Sequence, residues 1–524
     1  MIDVNVVRRM LAECVIEHEY PFEWVEHRKV RELCCYLNKD FKPISRNTCK
    51  GDCLKIHLEM KEELKSILGK VSSKISLTCD MWSSCTSDGY LCLTAHYVND
   101  DWKLCFKILN FFNVPPPHSA TYLYNTIYGL LREWGIEKKI CSITLDNASN
   151  MNNMQELLRF QLDQNDALVA HGKYFHVRCC AHILNLIVQS GLEVIKVGLL
   201  KIRECVKYVE GSEGRKIKFR ECVAQAGFEY SKGLWLDVPT RWNSTYLMIE
   251  RFLYYRSAFE VLSRTYEVFA LEYLADYEFP WIEHIFQFLK PFYDITLLFS
   301  GSDYPTANLY FENVFIIQKN IEKELLSTYV IFREMALNMK NKFSKYWEEH
   351  TMVLSFACIL DPRFKLQLLQ YLFPQLGSQY EDSSQLILEQ MKKLFEEYKL
   401  QRGNMSFRNF GGQFNSNKSE LESYLEENRE DYELQLDVLD FLKKNEFRYP
   451  TLSRMARDIL SIPITIVALE SAFSIGGRVI TKWRSSLTTT NAEVLITTRN
   501  WLYGYEEEVK IKDNWGRKIK RIKS

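Results

Sequence analysis

Apolar and polar positions change period several times along the 524-residue chain, and each change marks an element or a boundary. Residues 1–70 read as helical and polar. In DCLKIHLEMKEELKSILGK, from Asp52, apolar residues recur at helical spacing through Leu54, Leu58, Leu64, Ile67 and Leu68, and Gly69 reads as the helix end. From Lys74 the period shortens to two. KISLTCD puts Ile75, Leu77 and Cys79 on one face, and YLCLTAHYV and LCFKILNFF are rich in strand formers. An amphipathic helix, TYLYNTIYGLLREWG, ends at Gly135. ICSITLD from Ile140 then reads as a buried strand, with helical patterns at Met154–Asp163 and Ala181–Val194. The order strand, strand, strand, helix, strand predicts an α/β core.

From Tyr246 to about Leu400 the pattern is helical and rich in aromatics. RGNMSFRNFGGQFNSNKSE, from Arg402, reads as a linker, and the acidic SELESYLEENREDYELQLD after it as a solvated helix face. Asp437 to Leu502 is helical again. Its apolar residues Leu452, Met455, Ile459, Leu460, Ile462, Ile464, Ile466 and Val467 exceed what one helical stripe needs. Some are expected to cover the core and others to meet a partner. The domains expected are residues 1–70, a helical region; 71–245, the first part of the core; 246–436, an α-helical insertion with a linker at 402–418; 437–505, a helical unit completing the core; and 506–524, a basic tail.

Charge adds little, because Lys+Arg and Asp+Glu both number 67. Any nucleic-acid contact must use local basic patches. The start, MIDVNVVRRMLAE, lacks the form of a signal peptide, and no run of about 18 apolar residues suggests a membrane span. Fifteen cysteines then read as free thiols of a reducing compartment. Cys49, Cys53 and His57 lie on a predicted helix, and Cys179 and His182 form a two-ligand C-x-x-H. Neither closes a tetrahedral zinc site, so zinc is not expected.

The candidate chemistry sits at element ends. Asp80 closes TCD and Asp146 closes TLD, where carboxylates face the crevice at the carboxyl ends of strands. Glu470 lies in IPITIVALESAFSIGG, a helical run with Pro463 near its start and Gly476-Gly477 placed as a stop. TCDMWSS, ITLDNASN, RCCAHILNL, LDVPTRWNSTY and ESAFSIGG, in that order, resemble the hAT superfamily of DNA transposases, in particular its plant transposase-derived, Ricesleeper/Daysleeper-like branch. The resemblance runs from about Glu17 to Leu502.

The resemblance implies a ribonuclease-H-like core interrupted by a large all-α insertion, with a helical C-terminal dimerisation region. It implies that Asp80, Asp146 and Glu470 form a D-D-E triad holding Mg2+ or Mn2+. It implies that Trp82, Arg241 and Trp242 contact DNA, and that Cys179 and His182 seat a helix beside the acids. Leu469 departs from the pattern, which has a small polar residue before the Glu, and is expected to crowd the carboxylate. The BED-type zinc finger usual at the start of such plant proteins is also missing from this sequence. The expected function is that of a nuclear, DNA-binding, dimerising and domesticated regulator without membrane association. The alternative is an active transposase that cleaves and joins DNA strands.

Overall fold

The computed structural model describes residues 3–84, 88–270, 273–347, 352–377, 380–403, 418–432, 434, 436–480 and 488–504. Five strands form one mixed sheet: β1 (Ile75–Ser83), β2 (Gly89–Val98), β3 (Leu104–Asn113), β4 (Ile140–Leu145) and β5 (His176–Arg178), in the order β3-β2-β1-β4-β5. The first three form an antiparallel meander, and β4 and β5 add in parallel. The connection from β3 to β4 is the helix Ala120–Trp134. Ser119 caps its start, and Gly135, at φ +68°, ends it in the left-handed region.

Strand alternation divides the sheet into two faces. Ile75, Leu77, Cys79, Ile143 and Leu145 pack with Leu123, Ile127, Leu131, Met154 and Leu158 of the covering helices. The opposite face carries Tyr90 and Cys92, which meet Leu469, Ala472 and Phe473 from the C-terminal helix Val467–Val479. A larger hydrophobic cluster unites the helices after β5 with the segment Leu452–Ile464.

The edge strand β3 is covered rather than left open. The last helix, Thr489–Tyr503, supplies Asn500, whose Oδ1 accepts the Ile108 N–H at 2.9 Å. Its Trp501 indole N–H donates to the Ile108 carbonyl at 2.6 Å. The register of β2 with β3 shifts between Leu93 and Thr94, close to this attachment.

Several expectations change. The first long helix begins at Arg46, capped by Ser45, and runs through Gly69 to Lys70. The boundary at residue 245 falls inside the helix Trp242–Tyr254, and helices from Cys180 onward already belong to the large helical cluster. Gly476 and Gly477 lie within the helix Val467–Val479 and do not end it. A β-carbon at Gly476 would stand 3.1 Å from the Phe111 ring and 3.4 Å from that of Trp82, so this glycine serves close packing. Leu452, Met455, Ile459, Leu460, Ile462, Ile464 and Ile466 are all buried within the single chain. They cover the sheet and the helical cluster, so the apolar surplus does not form an exposed face. Residues 404–417 of the expected linker and the basic tail 506–524 lie outside the described residues.

Candidate active site

Two adjacent strands carry the same five-residue pattern. β1 reads Ser76-Leu77-Thr78-Cys79-Asp80, and β4 with its following residue reads Ser142-Ile143-Thr144-Leu145-Asp146. The parallel ladder pairs Ser76 with Ser142 and Thr78 with Thr144. The two aspartates therefore follow at the same level on neighbouring strands, about 5 Å apart in the ladder direction. Both stand on the face of the polar Ser and Thr residues, away from the Leu/Ile face. Asp80 Oδ1 accepts the Met81 N–H at 2.7 Å. Asp146 Oδ1 accepts the Ala148 N–H at 3.1 Å, a turn that launches the helix Ser149–Asp163.

Glu470 arrives from far along the chain. Asp458 accepts the Lys74 N–H at 2.7 Å, and Ser461 meets Ser76 at 3.2 Å. The Pro463 carbonyl accepts from the Thr144 hydroxyl at 2.6 Å, and the Ile464 carbonyl from the Cys180 N–H at 2.8 Å. These bonds lay residues 458–464 along β1 and β4 and deliver the next helix to the strand ends. Cys179 completes the attachment. Its N–H donates to the carbonyl of Leu145, the neighbour of Asp146, at 2.8 Å, and its sulfur accepts the Ile466 N–H at 3.4 Å. Cys179 thus ties the strand of Asp146 to the start of the Glu470 helix. Glu470 lies in the first turn of that helix, where the exposed N–H groups favour a negative charge.

A cleft of about 710 Å³ opens here, lined by Asp80, Asp146, His182, Arg241, Trp242 and Glu470 among others. Burial, then the charge of Asp146, then that of Glu470 push the Asp80 carboxyl up to about 7, against the opposing Met81 N–H. Burial pushes the Cys179 thiol up to about 12, which keeps it neutral. Arg241 reaches Glu470 at 3.6 Å, an exposed pair that water screens. Leu469 is 0% exposed and packs into the core, away from the carboxylate it was expected to crowd.

The aromatic residues divide. Trp242 borders the cleft but is only 2% exposed, held edge-on by Tyr246 and Tyr293. Trp82 lies outside the lining, half-buried and stacked on Phe473 with centroids 6.0 Å apart. Asn185, Asp303 and Tyr304 also line the cleft, and no motif or period marks them. Asn185 Oδ1 accepts the Trp242 N–H at 3.3 Å and so joins two helices of the wall. The repeated Ser-x-Thr-x-Asp pattern was available as a signal that Asp80 and Asp146 are neighbours.

Cys49, Cys53 and His57 do fall on one helix face, and that face is buried against other elements. Cys53 donates to the Ala12 carbonyl, and His57 Nδ1 meets Thr498 at 3.0 Å. Burial lowers the His57 imidazole to about 4. Among the described residues all cysteines are free thiols, and no group of three or more His, Cys, Asp or Glu side chains, the three acids of the cleft included, is gathered closely enough to hold a metal ion as it stands. The donor set of the cleft nevertheless suits a hard divalent cation. Its oxygens are carboxylates, and although burial is the main cause of the rise at Asp80, the part that comes from Asp146 and Glu470 is relieved by positive charge.

Family models match four stretches of the chain. Residues 78–174 match the ZBED1 RNase-like domain and 177–288 the ZBED1 RNase-like helical domain. Residues 308–398 match the hAT-like transposase, RNase-H fold, and are helical here; 420–502 match the hAT family C-terminal dimerisation region. A Zea mays protein named after the AC transposase is 34% identical over 95% of this chain and 65% of its own length. RICESLEEPER 2 of Oryza sativa subsp. japonica, a zinc finger BED domain-containing protein, is 30% identical over 94% of this chain and 74% of its own length. DAYSLEEPER of Arabidopsis thaliana is 29% identical over 94% and 73%. The chain spans 65% and 66% of the length of two maize AC-type relatives. With an RNase-H-like sheet, a helical body and the C-terminal dimerisation region in this order, the chain belongs to the hAT superfamily of transposases and transposase-derived proteins.

Proposed function

We propose that the cleft is a divalent-cation-dependent phosphoryl-transfer site for DNA, in a nuclear protein that binds DNA and self-associates. The observation that carries this reading is the lining of one cleft by Asp80, Asp146 and Glu470, with Leu469 turned into the core. Mg2+ or Mn2+ would supply neutralisation of charge on the attacking and leaving oxygens. The carboxylates of Asp80, Asp146 and Glu470 would hold the cation. Arg241, on leaving Glu470, is free to pair with a phosphate. Trp242 stiffens the wall that carries Arg241, and Cys179 fixes the spacing between Asp146 and Glu470.

A plasmid-nicking assay with Mg2+ or Mn2+ tests this. Wild-type protein nicks DNA, and Glu470→Gln binds DNA without nicking it. Equal nicking by both proteins would contradict the assignment. The regulatory, domesticated reading is favoured by one observation, the pairing of Glu470 with Arg241, which occupies the third carboxylate. DNA binding without nicking in the wild type would select it.

Self-association is proposed through the C-terminal region. Of the eight apolar residues first expected to serve it, seven are buried and Val467 is half-buried at the cleft, so other side chains are proposed to do so. Phe447, in the matched region, is 91% exposed, and Leu434 is 49% exposed. Light scattering on Phe447→Glu is expected to show a smaller particle than the wild type at equal concentration. An unchanged mass above that of a monomer would place the contact elsewhere.

A further inference from the structure

We propose that the loop Phe228–Val238, with the helices Glu213–Gln225 and Trp242–Tyr254 beside it, is a track along which DNA reaches the cleft; this rests on the reading of the cleft as a DNA site. Cations and aromatic rings alternate here in one connected cluster. Arg220 lies over the Tyr230 ring at 5.4 Å, Lys232 over Tyr254 at 4.7 Å, and Arg251 over Trp235 at 3.3 Å. The rings are themselves joined. Tyr230 stacks on Tyr255 at 5.6 Å, Tyr255 meets Tyr254 at 4.8 Å, and Phe228 meets Tyr254 at 5.8 Å. Buried Tyr255 anchors the loop, its hydroxyl accepting the Lys232 N–H and donating to the Lys232 carbonyl, both at 2.9 Å.

The outer side of this cluster is open. Phe228, Trp235, Leu236 and Val238 are 40%, 45%, 42% and 51% exposed. The loop is continuous with the cleft. The Arg241 N–H donates to the Val238 carbonyl at 2.8 Å, and the Ser244 hydroxyl accepts the Val238 N–H at 2.8 Å. A chain lying along the loop is therefore led to Arg241 and Glu470.

The state of the charges points to nucleic acid. A ring face orients a cation without neutralising it. The carboxylates nearest Arg220 and Lys232 stand at 3.7 and 4.0 Å, exposed pairs that contribute little. Arg203 shows the contrast, since Asp237 grips its guanidinium through two bonds of 2.9 and 2.7 Å. Arg251 is held by the Gly233 carbonyl, but Arg220 and Lys232, left available beside exposed flat rings, fit a phosphate backbone with unpaired bases, which stack on any such ring. With no net charge on the whole chain, a local strip of this kind is what DNA attraction requires.

The test is fluorescence anisotropy of the full chain with labelled single-stranded and duplex DNA over a range of salt. The double variant Arg220→Glu/Lys232→Glu is expected to bind about tenfold or more weakly. Its log–log salt slope is expected to fall by about 2, near one unit per lost phosphate contact. Trp235→Ala is expected to weaken single-stranded binding more than duplex binding. The milder pair Arg220→Gln/Lys232→Gln, and the remote Lys399→Glu as control, separate these effects from misfolding. Wild-type affinity and salt slope in both double variants would overturn the track while leaving the proposed function intact. No DNA binding by the wild type would overturn both. Binding to polyglutamate but not DNA, lost in the charge variants, would overturn the track in favour of an acidic protein partner.

Discussion

Asp80→Asn is expected to stabilise the metal-free chain above pH 7 and to abolish its binding of divalent cations. The Asp80 carboxyl ionises near 3.8 when unfolded and at about 7 in the fold, raised first by burial and then by Asp146 and Glu470. Below 3.8 both states hold the proton, and Asp80 costs nothing. Between the two values the folded state binds the proton and the unfolded state does not, so stability falls as pH rises. Above about 7 the full cost is present. Each unit is worth about 1.4 kcal/mol. Asp80 is partly open to the cleft, so a gain of about 2 kcal/mol is expected for Asn at pH 8, shrinking towards zero near pH 4. Asn also keeps an oxygen for the Met81 N–H. Denaturant unfolding at the two pH values measures the gain, and titration with Mn2+ measures the loss of binding. Destabilisation at pH 8 would show that Asp80 is held by structure and is not strained by like charges. The same coupling makes cation binding by the wild type strengthen as pH rises through 7, because the cation displaces the Asp80 proton.

Asp458→Ala is expected to cost about 3 kcal/mol of stability and to weaken cation binding as well. Asp458 is 2% exposed and accepts from the Lys74 N–H and the Tyr398 hydroxyl, each at 2.7 Å. Three distant segments meet at this one side chain. Alanine leaves two buried donors unpaired, each worth about 1–3 kcal/mol. It also loosens residues 458–464, which deliver Glu470 to the strand ends. Asp458→Asn, which retains an acceptor, is expected to lose less. A variant with lowered stability but unchanged cation affinity would separate the two roles and contradict the delivery argument.

What the sequence could show was local. Strands β1 to β4 and the stop at Gly135 follow from period and turn chemistry, and the structure has them. The family motifs placed Asp80 and Asp146 at strand ends. The identical Ser-x-Thr-x-Asp runs also encode their shared level, because parallel strands in register repeat one face. The C-terminal third was harder to read. Gly476-Gly477 looks like a stop until Phe111 and Trp82, more than 350 positions earlier, are seen to require a residue without a β-carbon. The apolar run from Leu452 looks surplus until the polar face of β1 and β4 is seen to need a cover. Cys179 looks like half of a zinc site, and its sulfur is an acceptor for the Ile466 N–H. Each of these depends on a pairing between segments that periodicity does not carry.

Asp80, Asp146 and Glu470, brought from three separate segments, are proposed to act as one cation site. Titration of the full chain with Mn2+, followed by electron paramagnetic resonance, tests it most directly. Saturable binding by the wild type is expected. Asp80→Asn, Asp146→Asn and Glu470→Gln should each weaken it by at least the about tenfold that even the outer partners of metal ligands are worth. Binding by Glu470→Gln equal to that of the wild type would contradict the claim.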